Sequence, residues 1–281
     1  MSQPFSRAFS VTVPGKWVLA GEHSVIRGCP AVALPHPEFS LTLTFTPTSA
    51  PILVTEPEVL KTVMDPLLEK ALRLRGISTE CRPRGLLSIQ SSIPLGSGLG
   101  SSAALCVATA RWLAEVFDIQ NAELQRFATE LEDSFHGKSS GMDVATCLAE
   151  APILFTRGAP ANAVFIKQLP NFKFFDTGYR CSTRECILKV EDWIKANAAL
   201  AFEVDQKMAR ASELAHQGLS ENDTRKIIQS MDLSWECYRT WGWIPPQAEA
   251  MREKLLSEGA AAVRLTGAGL GGYCVAFYPE R

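Results

Sequence analysis

The spacing of hydrophobic and polar positions changes along this chain, and the changes divide it into elements. Over the first ninety residues, apolar positions alternate or form β-branched runs in "FSVTVPGKWVLAGEH", "PAVALP" and "FSLTLTFTP", with proline and glycine as breaks. That pattern predicts strands. "PEVLKTVMDPLLEKALRLRG" predicts a helix that Pro66 kinks or divides. Leu87, Ile89 and Ile93 share one side of an extended stretch that Pro94 stops. From Ala103 to Phe117 there is neither glycine nor proline, and the strongly apolar run predicts a mostly buried helix. In "NAELQRFATELEDS", Leu124, Phe127, Ala128 and Leu131 fall at helical spacing, with Asn121 placed to cap the helix. Further helices are expected over residues 183–216 and 246–258, strands at "FKFFDTG" and "AAVRLT", and a glycine-rich turn feeding the last extended run.

Between the strand ending at Pro94 and the buried helix lie Gly96, Ser97, Gly98, Leu99, Gly100, Ser101 and Ser102. Strand, glycine loop and helix together aim unpaired backbone N–H groups and a helix N-terminus at an anion, usually phosphate. A Walker A loop would end in Gly-Lys-Ser/Thr, and this one has no lysine; a dinucleotide fingerprint would need glycine where Ser101 stands. A tight turn that merely packs a helix on a sheet, and a phosphate loop using Ser101 and Ser102, both stay open. On the next helix, counting 100° per residue from Leu124 puts Glu132 about 80° from the apolar stripe, at its edge, and Asp133 opposite it. Asp143, just after Gly141, falls in the first turn of a short apolar helix, where a carboxylate suits the helix dipole.

Composition narrows the classes without choosing among them. With 281 residues, 46% apolar and 21% charged, the chain has room for one large domain or two small ones. A net charge of −2 gives no electrostatic reason to expect nucleic acid or an anionic membrane as partner. "MSQPFSRAFS" lacks the apolar core of a signal peptide, and the eight cysteines are scattered with no CxxC pair. Reduced, mostly buried thiols in a cytoplasmic protein are expected. No pair of the four histidines has the i,i+4 spacing of a zinc site.

Three segments, "VPGKWVLAGEHSVIRGCPAVALP", "PLGSGLGSSAAL" and "LTGAGLGG", resemble in order and spacing the three motifs of the GHMP kinase superfamily. "PGKWVLAGEHSV", "HGKSSGMD" and "DTGYRCSTREC" make the chain most similar to its mevalonate kinase family. The resemblance implies a two-domain α+β fold: an N-terminal domain like ribosomal protein S5 domain 2 over 1–170, and a ferredoxin-like C-terminal domain over 171–281. It implies ATP and Mg²⁺ as cofactors and a small alcohol, mevalonate foremost, as acceptor, and it leaves room for a homodimer. By the same resemblance Asp143 and Lys16 are catalytic, and Pro94 together with Gly96 to Ser102 holds ATP. Ser102 and Glu132 ligate the metal, while Glu22, His23, Gly267, Ala268 and Gly269 meet the substrate. Phosphomevalonate or another small alcohol as acceptor, and a binding protein that kept the fold without catalysis, stay as alternatives. The chain departs from the family pattern at Lys138 and Ser139, at Leu270 inside the third glycine run, and in the aromatic "MDLSWECYRTWGWIPP".

Overall fold

A computed structural model of the chain describes residues 7–50, 52–54, 58–78, 81–117, 119–137, 139–180 and 183–279. They form two compact units that interleave along the sequence rather than dividing at one cut. The first comprises Met1–Gly15, His36–Pro94 and Gly100–Leu148; the second comprises Lys16–Pro35, Leu95–Leu99 and Ala149–Arg281. The chain passes between them along two strands, β1 (Phe9–Ala20) and β2 (Ala31–Pro47).

In the first unit, β2 pairs antiparallel with β4 (Gly85–Ser91) from Leu41↔Ser91 to Pro47↔Gly85, and β3 (Leu53–Val54) pairs parallel with β4. Leu41, Leu43 and Phe45 alternate inward on β2, as do Leu87 and Ile89 on β4. Phe45 packs on Trp112 with ring centroids 4.8 Å apart. Trp112 belongs to α2 (Ser101–Phe117), which is buried without a break from Ala103 to Ala110, as its sequence predicts. The other helices are α1 (Glu58–Leu74), α3 (Asn121–His136) and α4 (Met142–Ala149).

Three prolines lie inside continuous elements. Pro66 neither ends nor divides α1, because it sits on the exposed face, where water can replace the missing backbone donor. Pro35 and Pro37 do not split β2, because they fall between its ladders with β5 (Ile153–Phe155, against Ala31–Ala33) and β4. The α3 cap is likewise one residue early, at Gln120, with no side-chain hydrogen bond.

In the second unit β5 also pairs with β6 (Asn162–Ala163). A separate antiparallel sheet has the order β7-β9-β8: β7 (Phe172–Asp176), β8 (Ala262–Thr266) and β9 (Tyr273–Phe277). Trp17 of β1 packs edge-on against Phe172 and Phe174 of β7, at 4.9 and 5.3 Å. Four helices complete it: α5 (Thr183–Ala196), α6 (Ala198–Glu221), α7 (Thr224–Trp241) and α8 (Pro246–Ser257). The sequence pattern left α7 unassigned. Its ends are well marked: Asp223 accepts the N–H groups of Arg225 and Lys226, and Gly242 closes the helix in the left-handed conformation.

Cys106, Cys147, Cys186, Cys237 and Cys274 are buried free thiols; Cys81 is exposed, and Cys181 lies outside the described residues. Among the described residues, no helix is long and apolar enough to cross a membrane.

Candidate active site

The three sequence motifs meet through backbone contacts within the second unit. Lys16, buried in β1, donates its backbone N–H to the Leu99 carbonyl of the first glycine loop at 2.9 Å. Val18 donates to and accepts from the Thr266 hydroxyl at the end of β8, at 2.9 and 3.0 Å. The two glycine loops touch directly. A Cβ on Gly267 would stand 3.1 Å from the Cα and O of Gly98, and one on Gly98 would stand 3.3 Å from Gly267 Cα. Both residues also hold left-handed φ angles, +90° and +76°, so this approach requires glycine at each position.

Two residues after Val18 and Leu19, the chain turns and presents Glu22 and His23. Glu22 is 4% exposed and accepts a hydrogen bond from Arg264 Nη2 at 2.6 Å and from the Gly267 N–H at 3.3 Å. Arg264, fully buried in β8, also donates to the Leu19 carbonyl. Its guanidinium lies over the Tyr238 ring, 5.4 Å from the centroid. Burial works against the Arg264 charge, but Glu22 and Tyr238 hold its pKa above the ordinary guanidinium value. Glu22 therefore serves a buried ion pair. The sequence reading missed Arg264, although an arginine inside the apolar run "AAVRLT" signals that a buried acid must face it.

His23 has φ +61° and ψ −46°, an uncommon conformation for a residue with a side chain. Its Nε2–H donates to the Ala268 carbonyl at 2.8 Å; a carbonyl only accepts, so Nε2 carries the ring proton. Burial lowers the His23 pKa to about 4, and Arg27, Arg264 and Lys16 push the same way. The residue is therefore a neutral imidazole at pH 7. The turn after it is held by Asp205 of α6, which accepts from the Ser24 hydroxyl at 2.6 Å and pairs with Arg27.

Ser101, Ser102, Glu132 and Asp143 lie in the first unit. Ser101 and Ser102 open α2, half-buried in its first turn. Glu132 on α3 is 2% exposed, in keeping with its position at the edge of the apolar stripe. After burial, its charge is the largest influence raising the Cys106 thiol, and Cys106 stands one helical turn beyond Ser102. Glu132 thus faces the N-terminal half of α2. Asp143 sits in the first turn of α4. Asp133, expected on the solvated face, is half-buried and accepts the Ser139 N–H at 2.8 Å, tying down the loop before α4. Lys138 lies outside the described residues. Ser102 and Glu132 offer hydroxyl and carboxylate oxygens, the donors a hard divalent cation takes, and Mg²⁺ needs few of them. Among the described residues no group of three or more His, Cys, Asp or Glu is placed to hold a metal.

Comparison with known proteins matches residues 59–150 to the GHMP kinases N-terminal domain and residues 215–281 to the GHMP kinases C-terminal domain. A mevalonate kinase of Aeropyrum pernix is 29% identical over 98% of this chain and 90% of its own length. A mevalonate kinase of Thermococcus sibiricus is 26% identical over 96% of this chain and 89% of its own. Among solved structures, L. major mevalonate kinase in complex with R-mevalonate superposes with a TM-score of 0.82 at 21% identity. That match covers 100% of this chain and 90% of that one. Methanococcus jannaschii mevalonate kinase superposes at 0.78 and 18% identity, covering 98% and 92%.

Two consequences are measurable. Arg264→Met leaves Glu22 buried without its cation and should cost about 3–5 kcal/mol in urea unfolding. Adding Glu22→Gln should recover part of that loss; a double variant as unstable as the single one would show that the pair is not its source. The second concerns acid. An unfolded histidine titrates near 6.5, so between pH 6.5 and 4 the unfolded chain binds the proton that folded His23 refuses. Stability should fall across that window as pH falls, by up to about 1.4 kcal/mol per pH unit for each such group. His36, which burial also lowers to about 4, adds the same dependence. His23→Gln should flatten the fall between pH 7 and 4.5, and an unchanged slope would place the His23 titration elsewhere.

Proposed function

Because the chain belongs to the GHMP kinase superfamily, we propose that it transfers a phosphoryl group from ATP to the hydroxyl of mevalonate, forming 5-phosphomevalonate. Mevalonate kinases match it over nearly its full length, at modest identity. The observation that carries the reading is that charged groups the motifs need are kept where burial is costly: Lys16 at 4% and Glu132 at 2% exposure.

Phosphoryl transfer asks a protein mainly to position reactants and to meet charge with charge. In this reading the backbone N–H groups from Gly96 to Ser102, with Pro94 leading into them and the α2 N-terminus behind, receive phosphate oxygens of ATP. The Ser102 hydroxyl and the Glu132 carboxylate would hold Mg²⁺. When bound, that ion neutralises charge on the phosphate oxygens. Asp143 takes the proton of the attacking hydroxyl, and the Lys16 ammonium offsets negative charge as it develops. Glu22, His23 and the Gly267–Gly269 turn form the acceptor side, with Glu22 acting through Arg264.

Asp143→Asn should retain ATP binding while turnover falls by roughly 10²–10⁴. Ser102→Ala and Glu132→Gln should each raise the Mg²⁺ concentration needed for half-maximal rate, whereas Glu130→Gln, whose carboxylate pairs with Arg126 on the same helix, should not. Near-normal turnover in the Asn variant would remove Asp143 from the role.

Acceptor choice follows from the same electrostatics. Phosphomevalonate would bring about two more negative charges, which call for several cationic or N–H donors. On the acceptor side, Arg264 is committed to Glu22 and His23 is neutral. A coupled ADP-release assay should therefore favour mevalonate over phosphomevalonate by at least tenfold in kcat/KM, about 1.4 kcal/mol. A preference for the phosphorylated substrate would overturn the assignment of acceptor and leave the kinase fold untouched.

A further inference from the structure

The aromatic stretch at the end of α7 encloses His23. The His23 ring meets Trp243, Trp241 and Tyr238 edge-on, with centroids 5.0, 5.5 and 6.1 Å away. Trp241 and Trp243 stack on each other at 4.7 Å, and Trp193 of α5 reaches Trp243 at 6.4 Å. Tyr238, Trp241 and Trp243 are all buried. The same segment grips the third glycine turn. The Tyr238 hydroxyl donates to the Gly267 carbonyl, and the Leu270 N–H donates to the Trp243 carbonyl at 2.9 Å. A Cβ on Gly269 would strike the Tyr238 ring at 2.7 Å. Since the His23 Nε2–H points at Ala268 in that turn, the aromatic segment fixes both the ring and the carbonyl it donates to.

One polar atom of His23 is left over. With the proton on Nε2, Nδ1 is a lone-pair acceptor, and it has no hydrogen-bond partner among the described residues. An acceptor atom of this kind takes a hydroxyl hydrogen and offers nothing to a carboxylate or phosphate.

We propose that Trp243 and Trp241 are positioning residues that hold His23 as a neutral, Nε2-protonated imidazole whose Nδ1 receives a hydroxyl hydrogen of the acceptor alcohol. Loss of an edge-on ring opens the socket to water and frees the imidazole to rotate and protonate. The charged groups acting on His23 are Arg27 in the following turn, Lys16 on β1 and Arg264 on β8, with Glu22 paired to Arg264. The aromatic face from α7 contributes the Tyr238 hydroxyl, which burial and Glu22 keep protonated. The cations already resist protonation from one side, and the aromatic rings exclude water from the other. The role in recognition rests on the proposed placement of His23 at the acceptor side; the tautomer and its support do not.

The test uses the full-length chain with ¹⁵N-labelled histidine, the His23 signals being identified by their loss in His23→Gln. Wild type should show the Nε2–H tautomer down to pH 5 without any ligand. Trp243→Leu should move the His23 midpoint up by at least one pH unit and mix the tautomers, while Trp243→Phe, which keeps a ring, should restore both. Trp241→Leu provides the same reading if Trp243→Leu does not fold. In steady state with R-mevalonate, the Leu variant should raise the acceptor KM at least fivefold and leave the ATP KM within twofold. An unchanged tautomer and midpoint in a folded Leu variant would overturn the proposal, as would a parallel rise in both KM values. If wild type does not turn over R-mevalonate, the acceptor assignment fails, and the nitrogen spectra still decide whether the socket sets the state of His23.

Discussion

A guanidinium with no exposure to water needs an acid and acceptors beside it, and the second unit supplies a carboxylate and a carbonyl at Arg264. Its partners, the Leu19 carbonyl and the Glu22 carboxylate, come from the opposite end of the sequence. Once they are in place, the end of β1 is fixed against the end of β8. Thr266 then faces Val18, Gly267 reaches Glu22, and Ala268 comes under the His23 ring. A side chain at Gly98 or Gly267 would need a left-handed backbone and would place its Cβ only 3.1–3.3 Å from the facing glycine.

The pair also determines what kind of surface this part of the protein can offer a ligand. Burying Arg264 and Glu22 together cancels two charges that, left separate, would have made the region attract or repel anions strongly. Burial is what chiefly keeps His23 neutral, and the remaining cations, Arg27, Arg264 and Lys16, act in the same direction. Recognition here depends on where individual donors and acceptors point, and the rings of α7 determine where the imidazole points.

Those parts of the fold governed by local pattern were legible in the sequence. The β4–loop–α2 unit announced itself through Pro94, the glycines and an uninterrupted apolar run, and Gly141 marked the start of α4, which puts Asp143 in the first turn. The helical phase of Glu132 was legible because one face of α3 is apolar enough to define an inside. What depended on distant partners was not. Arg264 looks like a strand residue until Glu22 stands opposite it. Asp133 looks solvated because the loop that comes back to it, at Ser139, is invisible to a helical count. Pro66 reads as a break, since the sequence does not say that its side of α1 faces water. The helix α7 went unassigned although Ile227, Met231, Trp235 and Tyr238 fall on one buried face at helical spacing.

Two departures from the family pattern that look unrelated in sequence are one feature in space. Leu270 stands inside a glycine run with φ +56°, a left-handed conformation that costs a residue with a side chain roughly 1–2 kcal/mol. The aromatic segment is the other departure, and the Trp243 carbonyl accepts the Leu270 N–H. An amide–carbonyl bond of this kind contributes about 0.5–1.5 kcal/mol, comparable to the strain. The glycine run resembled by this turn would be free to move at that position, whereas leucine held by Trp243 is not. Beside His23, the left-handed backbone of Leu270 and the aromatic support around Trp243 thus meet at one hydrogen bond.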